Sequence, residues 1–432
     1  MADGRGLIGA PRDPAASAAE ALAGALREQR PRIVAALIRA TGEWELAEDC
    51  AQDAAERALL AWERDGVPAN PAAWLMTVAR RRAVDVLRRG GREAEILARI
   101  AAMPAPGPPA EDGELDDRLR LLLACAHPDL PLQDQVALTL KAVGGLSVRE
   151  IAALLLVPEG TLGKRLQRAR ERIRREDLRL QAPPPEQIAP RAAAVLGVVF
   201  LIFTHGYGAT GEDGPREPPA REAIELSRLV SAVLPDHGEA QALRALLTLT
   251  HARSPARRDG AGDLVPLEEQ DRGRWDRALI AEGLQALAAA RRAPDSRDGE
   301  VGPYRAQAEI AARHARAASV AQTDWDGIVT WYDALYAAGG SPAVAVNRAV
   351  AIGQRDGPRA GLAALAAARE DPRAGQVPEV TAIEADLLRR AGDVPAAIAA
   401  HRRALQATPG AAARRHLQRR LAELEEQTPP AP

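Results

Sequence analysis

Apolar residues recur at spacings of three and four along nearly the whole chain, while alternating Val/Ile/Thr-rich segments bounded by turn residues are scarce. A period near 3.6 buries one stripe of a helix, whereas a half-buried strand needs a period of 2, so the chain is expected to be all-α. Aromatic residues make up 3% of it, too few for an ordinary all-β core. Two stretches break the helical pattern. MPAPGPPAEDGELDD over 103–117 is rich in Pro and Gly and then acidic, which cannot bury enough apolar surface to fold alone and reads as a linker. Pro183-Pro184-Pro185 is a second boundary. With 432 residues, the expected organisation is a helical domain over 1–100, a linker over 101–117, a second small domain over 118–182 and a long helical extension over 183–432.

Charge narrows the classes of partner. Fifty-seven Lys and Arg nearly cancel 59 Asp and Glu, leaving a net charge of −2, so attraction to nucleic acid must come from local clusters. Lys occurs only at Lys141 and Lys164, and the rest of the positive charge is Arg. Two cysteines, Cys50 and Cys125, supply neither a disulfide framework nor a cysteine-rich zinc site, which fits a reducing cytoplasm. No apolar stretch followed by a small-residue cleavage site opens the chain, so no signal peptide is expected. The longest apolar run, Ala192–Phe203, is shorter than the roughly 20 residues that span a bilayer and is expected to be a buried helix.

Two local patterns carry chemistry. Between Ala47 and Trp62, Asp49, Gln52, Asp53 and Glu56 fall at i, i+3, i+4 and i+7 on one helical face, with Leu46, Cys50, Ala54 and Ala58 on another. After the turn at Asp65-Gly66-Val67-Pro68 a second helix begins near Pro71 and carries Trp74, then Arg80, Arg81, Arg82, Asp85, Arg88 and Arg89. Farther on, Ser147-Val148-Arg149-Glu150 matches a capping box that starts a short helix, with Ile151, Leu154 and Leu155 as its buried stripe. Past Val157-Pro158, Leu162, Leu166, Ala169 and Ile173 mark the core face of a second helix that bears Lys164, Arg165, Arg168, Arg172 and Arg175 elsewhere. A short helix, a tight turn and a basic helix form a helix-turn-helix, whose second helix enters the major groove. Its cations can neutralise phosphates or donate to guanine, and Glu159 and Thr161 sit at the end that meets base edges. On the residues alone, a plain helical hairpin with an Arg-rich solvated face remains the competing reading.

The order of these features resembles the extracytoplasmic-function (ECF) sigma factors. The matching segments are AEDCAQDAAERALLAW (47–62), NPAAWLMTVARRRAVDVLRR (70–89) and LSVREIAALLLVPEGTLGKRLQRARERIR (146–174), the last close to the family pattern VREIAxxLxVPEGTVKxRLxRAR. LRLLLACAHPDLPLQDQVALTLKAVGG (119–145) further resembles the subgroup with a long helical C-terminal extension. The resemblance implies a region 2 domain, a linker and a region 4 domain that together direct a bacterial RNA polymerase core to promoters. Asp49, Gln52, Asp53 and Glu56 would dock on the β′ clamp helices, and region 4 would meet the β flap. Trp74, Arg80, Arg81, Arg82 and Arg88 would engage the −10 element; Glu159, Thr161, Lys164, Arg165, Arg168 and Arg172 would read the −35 element as duplex. The sequence departs from the family at Arg81, where many members have Asn, and at Leu156, where many have Gly. Gly163, inside the recognition helix, costs about 1 kcal/mol relative to Ala.

In the extension, RAAAVLGVVFLIFTHGYGAT, LVPLEEQDRGRWDRALIAEGL and DWDGIVTWYDAL resemble the extension of that subgroup, with Phe200 and Phe203 expected in the core. Ala385, Ala397, His401, Ala404 and Pro409 follow the spacing of a tetratricopeptide repeat of about 34 residues, and a weaker copy ends at Pro372. Such repeats stack into a superhelix with a concave binding surface. Glu268, Glu269, Gln270, Asp271 and Arg272 form a dense polar cluster before Trp275, expected to join helices or to contact the sigma domains as part of a regulatory extension. A protein partner or an intramolecular contact is expected there. His205 and His251 stand without a zinc-protease motif, nucleophile elbow or P-loop, so neither catalysis nor a metal or other cofactor is expected. The competing function is a one-component helix-turn-helix regulator whose repeat domain senses a ligand or a protein. The acidic stripe followed by a Trp/Arg helix argues against it, since such a regulator has no use for a polymerase-docking face.

Overall fold

The computed structural model describes residues 14–89, 96, 98, 100, 116–176, 183–207, 217–260, 262–296, 301–371, 373–374, 377, 379–408 and 411–426. Residues 101–115 of the expected linker, with Pro372 and Pro409, lie outside these. Among the described residues the regular elements are helical, and extended pairing is limited to one isolated bridge between Arg258 and Leu264. The chain divides into two compact units, 1–202 and 203–432.

In the first unit, α1 (Pro14–Thr41), α2 (Trp44–Asp65) and α3 (Pro71–Arg89) pack on one another. Gly42, at a φ of +73°, turns the chain between α1 and α2. The Thr41 hydroxyl secures that turn, donating to the Leu37 carbonyl at 2.8 Å and accepting from the Glu43 N–H at 3.0 Å. The periodic set Leu46, Cys50, Ala54 and Ala58 is buried, joined by Trp44 and Trp62. Trp62 meets Trp74 edge to face with ring centroids 5.7 Å apart, tying α2 to α3. Burial pushes the thiols of Cys50 and Cys125 up to about 12, so both are protonated and unreactive at neutral pH.

The rest of the unit comprises α4 (Asp117–Cys125), α5 (Leu132–Ala142), α6 (Val148–Leu154) and α7 (Glu159–Arg175). Both hydrogen bonds of the capping box at Ser147 and Glu150 are present. Leu162, Leu166, Ala169 and Ile173 are all buried, and each large apolar side chain so removed from water contributes about 1.5–3 kcal/mol. The stripe on α6 differs from expectation: Ile151 and Ala152 are buried, but Leu154 and Leu155 only half so. The cause is that α6 ends at Leu154 and the chain reverses at Leu156, whose φ of +53° lies in the left-handed region. Past the prolines, α8 (Ala192–Tyr207) begins after Arg191, which is buried and donates to the Leu123 carbonyl at 2.7 Å. That bond holds residues 183–202 to α4 and explains why the first compact unit extends through them. The helical stretch Pro185–Tyr207 is long and apolar enough to cross a membrane, and more than half of its apolar window is buried in the fold. Phe203 is buried and Phe200 half-buried.

The second unit winds through α9 (Glu217–Val233), α10 (Gly238–His251), α11 (Arg277–Arg292), α12 (Pro303–Arg316), α13 (Trp325–Ala337), α14 (Pro342–Arg355), α15 (Pro358–Ala368), α16 (Val380–Arg390), α17 (Val394–Ala407) and α18 (Ala411–Glu426). Most helices pack chiefly on their chain neighbours, as in a repeat array. Three of the first are stitched by one carboxylate: Glu282 of α11 accepts from Arg228 of α9 at 2.6 Å and from Arg244 of α10 at 3.0 Å, which holds it down at about 2. Ala385, Ala397, His401 and Ala404 are all buried where α16 and α17 meet. In the weaker copy, α14 and α15 cross so closely that a Cβ on Gly361 would lie 2.8 Å from the Gly353 Cα.

Candidate nucleic-acid interface

On α7 the buried stripe fixes the rotation of the helix, so the opposite side is necessarily the solvent face. Glu159, Thr161, Lys164 and Arg168 are exposed and Arg165 and Arg172 half-buried. Thr161, Lys164, Arg165, Arg168 and Arg172 share one face at i, i+3, i+4, i+7 and i+11. Arg172 pairs with Glu176 at 3.1 Å, and the Arg168 Nε lies 3.3 Å from the Lys164 carbonyl. Seven basic side chains against two acidic ones give α7 a strong positive field, independent of the near-neutral chain.

Two of the basic residues point elsewhere. Arg170 lies four residues after Leu166 and three before Ile173, on the border of the apolar stripe, and its Nη2 donates to Glu48 of α2 at 2.7 Å. Arg174, one turn on, approaches Glu45 at 3.9 Å. No sequence motif singles out Arg170, Glu45 or Glu48. The helical phase places Arg170 at the stripe's edge, and that was the available signal.

On α2, Asp49, Gln52 and Glu56 are exposed and Asp53 half-buried, on the same side of the helix. Gln52 donates to Glu56 at 3.0 Å, and Asp53 pairs with Arg57 at 2.8 Å and with Arg82 of α3 at 3.7 Å. Arg82 is therefore already partnered across the α2–α3 contact. Arg80 donates to the Ile100 carbonyl at 2.8 Å. Trp74, Arg81 and Arg88, seven residues apart, form the outward line of α3, with Trp74 half-buried against Trp62 and the two arginines exposed. Four of the five α3 cations thus divide between an outward pair, Arg81 and Arg88, and a pair that braces the domain, Arg80 and Arg82.

In the second unit the polar cluster is mostly structural. Arg272 is buried and donates to the carbonyls of His314 at 2.9 Å and Ala317 at 2.8 Å and to the Thr323 hydroxyl at 3.2 Å, while its guanidinium lies 5.0 Å from the ring centre of buried Trp275. Burial lowers its pKa. Asp271 caps the turn by accepting from the Gly273 N–H at 2.8 Å, and Gln270 donates to the Val265 carbonyl at 3.1 Å. Glu268 and Glu269 are exposed, and Glu269 pairs with Arg420 of α18. This cluster joins the 263–275 segment to the helices around it. A cavity of about 640 Å³ lies behind it, walled by Glu268, Ile383, Asp386, His401 and Leu417. The Nδ1 of His401 bonds the Ala397 carbonyl at 2.9 Å. Among the described residues no group of three or more His, Cys, Asp or Glu side chains is placed to hold a metal; His251 instead bonds the Ser254 hydroxyl at 3.1 Å.

The family model of sigma-70 region 2 matches residues 26–93, and that of sigma-70 region 4 matches residues 120–173. A family of unknown function, DUF6596, matches residues 191–291. An uncharacterised protein of Rhizobium meliloti is 42% identical over 347 residues, covering 78% of this chain and 81% of that one. The ECF RNA polymerase sigma factor SigE of Mycolicibacterium smegmatis is 30% identical over 151 residues, 34% of this chain and 58% of SigE. No solved structure matches the chain.

Proposed function

The chain belongs to the sigma-70 family as an ECF-type sigma factor with an additional helical C-terminal domain, and on that premise we propose how its residues divide the work. Its sigma domains imply two partners, the RNA polymerase core and promoter DNA. Sigma families are not enzymes, and what they contribute is recognition. The observation that carries the proposal is the cationic face of α7, presented opposite a fully buried stripe and at the second position of a helix-turn-helix. Lys164, Arg165, Arg168 and Arg172 neutralise phosphates of the −35 duplex, and Glu159 and Thr161 meet base edges at the N-terminal end. Trp74, Arg81 and Arg88 take the −10 element, where strand separation calls for a stacking surface beside phosphate clamps. Arg80 and Arg82 support them by bracing α3.

Asp49, Gln52, Asp53 and Glu56 dock on the β′ clamp helices, and region 4 contacts the β flap. The C-terminal domain regulates the sigma domains, through an intramolecular contact or a protein partner, and the protein acts in the cytoplasm. The test is a reconstitution of the full chain with bacterial core polymerase on a library of −35/−10 promoters, alongside a chain ending at Tyr207. That end point keeps Arg191 on α4, which a cut at the prolines would remove. Core-dependent initiation is expected, with a difference between the two forms that gives the sign of regulation. Absence of core binding by both folded forms would point to the one-component regulator instead.

A further inference from the structure

We propose that the cavity of the second unit is a binding site for a small organic cation that carries an apolar body and, beyond it, a hydrogen-bond donor. The inference names a ligand for the domain read above as regulatory, and its geometry is that of the second unit alone. The volume of about 640 Å³ falls within the range of roughly 300–1,000 Å³ that small-molecule sites occupy. Along α16 the lining grades from polar to apolar. Glu379, just before the helix, is exposed; Ile383, one turn on, is half-buried; Leu387, a further turn on, is buried. At 1.5 Å per residue this line is about 12 Å long, enough for one ring and a short chain. Buried Leu417 of α18 adds apolar surface to the same space.

The guanidinium groups around the cavity are already committed. Arg389 pairs with Asp386 at 2.6 Å, Arg390 donates to Gln354 at 3.0 Å, and Arg420 pairs with Glu269 and, at 2.9 Å, with Glu423. The carboxylates of Glu268 and Glu379 make no hydrogen bond or ion pair with a described residue, and Glu379, at the N-terminal cap of α16, caps nothing with its side chain. An occupant therefore meets two uncommitted negative charges and no uncommitted guanidinium. His401 sets the other requirement. It is 3% exposed, and its Nδ1 lies 2.9 Å from the Ala397 carbonyl, which can only accept, so in the neutral ring the hydrogen sits on Nδ1 and Nε2 carries a lone pair. The ring lines the cavity and Nε2 has no partner among the described residues. A desolvated acceptor without a donor is costly, and an O–H or N–H of a ligand would remove that cost. Arg403 pairs with Glu384 at 3.2 Å, which sets the middle of α17 beside the middle of α16, so His401 lies about one turn deeper than Glu379. On α18, His416 adds a buried Nδ1 that also lacks a partner.

The test is calorimetric titration of the full chain with tyramine, phenethylamine and the para-hydroxyphenylpropionate anion, which share a ring and differ at one end or the other. Tyramine is expected to bind, phenethylamine to bind about fivefold more weakly for want of the phenol hydroxyl, and the carboxylate to show no binding up to about 10 mM. Glu379→Gln should weaken both amines alike, by about fivefold. His401→Phe, which puts an aromatic ring where the repeat usually has one, should bring tyramine down to the level of phenethylamine and leave phenethylamine unchanged. Thermal melts verify that both variants fold. No binding of tyramine up to about 10 mM, binding of the carboxylate as tight as that of tyramine, or affinities unchanged in both variants would overturn the site. The titration involves neither polymerase nor DNA, so loss of the site would leave the sigma assignment standing, and failure of the reconstitution would leave the site.

Discussion

At the scale of single residues, burial separates side chains that the sequence presents as equivalent. Arg168 and Arg170 are both cations on one basic helix, yet the first is exposed and the second reaches Glu48, because only the second borders the buried stripe. Arg272 was legible as part of a polar cluster, but that its guanidinium serves three acceptors from a segment some fifty residues later follows from tertiary packing alone. Beside it, burial and the positive charges of Arg253 and Arg272 push His314 down to about 3. Unfolded, the same imidazole titrates near 6.5. Between those values the unfolded chain takes up a proton that the folded chain refuses. The contribution of His314 is therefore whole above about pH 6.5 and falls as pH drops toward 3, by up to about 1.4 kcal/mol per unit. Urea unfolding of wild type and His314→Gln between pH 7 and 4 should show a shallower decline in the variant, and identical pH dependence would refute the assignment.

At the scale of elements, helix positions and core stripes were readable because periodicity is local. The four apolar positions of α7 and the four of α2 are buried as their spacing requires. Turn chemistry was less readable, since Leu156 sits where a left-handed residue is needed and a leucine gives no hint of that. Its side chain is 88% exposed, so no core contact offsets the backbone cost. Leu156→Gly is expected to stabilise the fold by about 1 kcal/mol, seen as a raised midpoint in urea with an unchanged slope. A lower midpoint would mean that the leucine makes a compensating contact. For the outward face of α7, the expectation concerns binding. Arg165→Ala with Arg168→Ala should weaken −35 duplex binding and reduce the slope of log affinity against log salt by about one for each lost phosphate contact. An unaltered slope would place recognition on another surface.

At the scale of the whole molecule, what the sequence could not show is closure across long separations, because ion pairs between distant segments have no period. The repeat spacing predicts a superhelix with a concave surface, and α16 and α17 do pack on each other. Yet α18 returns to the segment before the polar cluster, where Arg415 meets Asp263 at 2.5 Å across 152 positions. Arg419 approaches Asp259 and Asp263 at 3.6 and 3.7 Å, and Arg420 pairs with Glu269. The described apolar anchors of α18 that are fully buried are Leu417 and Leu424, so much of what seats this helix is charge. Partly exposed pairs each contribute at most about 1 kcal/mol and weaken as salt shortens the screening length from about 10 Å at 0.1 M to 3 Å at 1 M. Replacing Arg415, Arg419 and Arg420 together by Gln should therefore lower the melting temperature of the second unit in 20 mM salt, with the difference from wild type shrinking toward zero as salt approaches 1 M. A deficit that persists unchanged at high salt would show that the arginines hold α18 through their aliphatic stems, and the closure would then be a packing contact, with the ion pairs incidental to it.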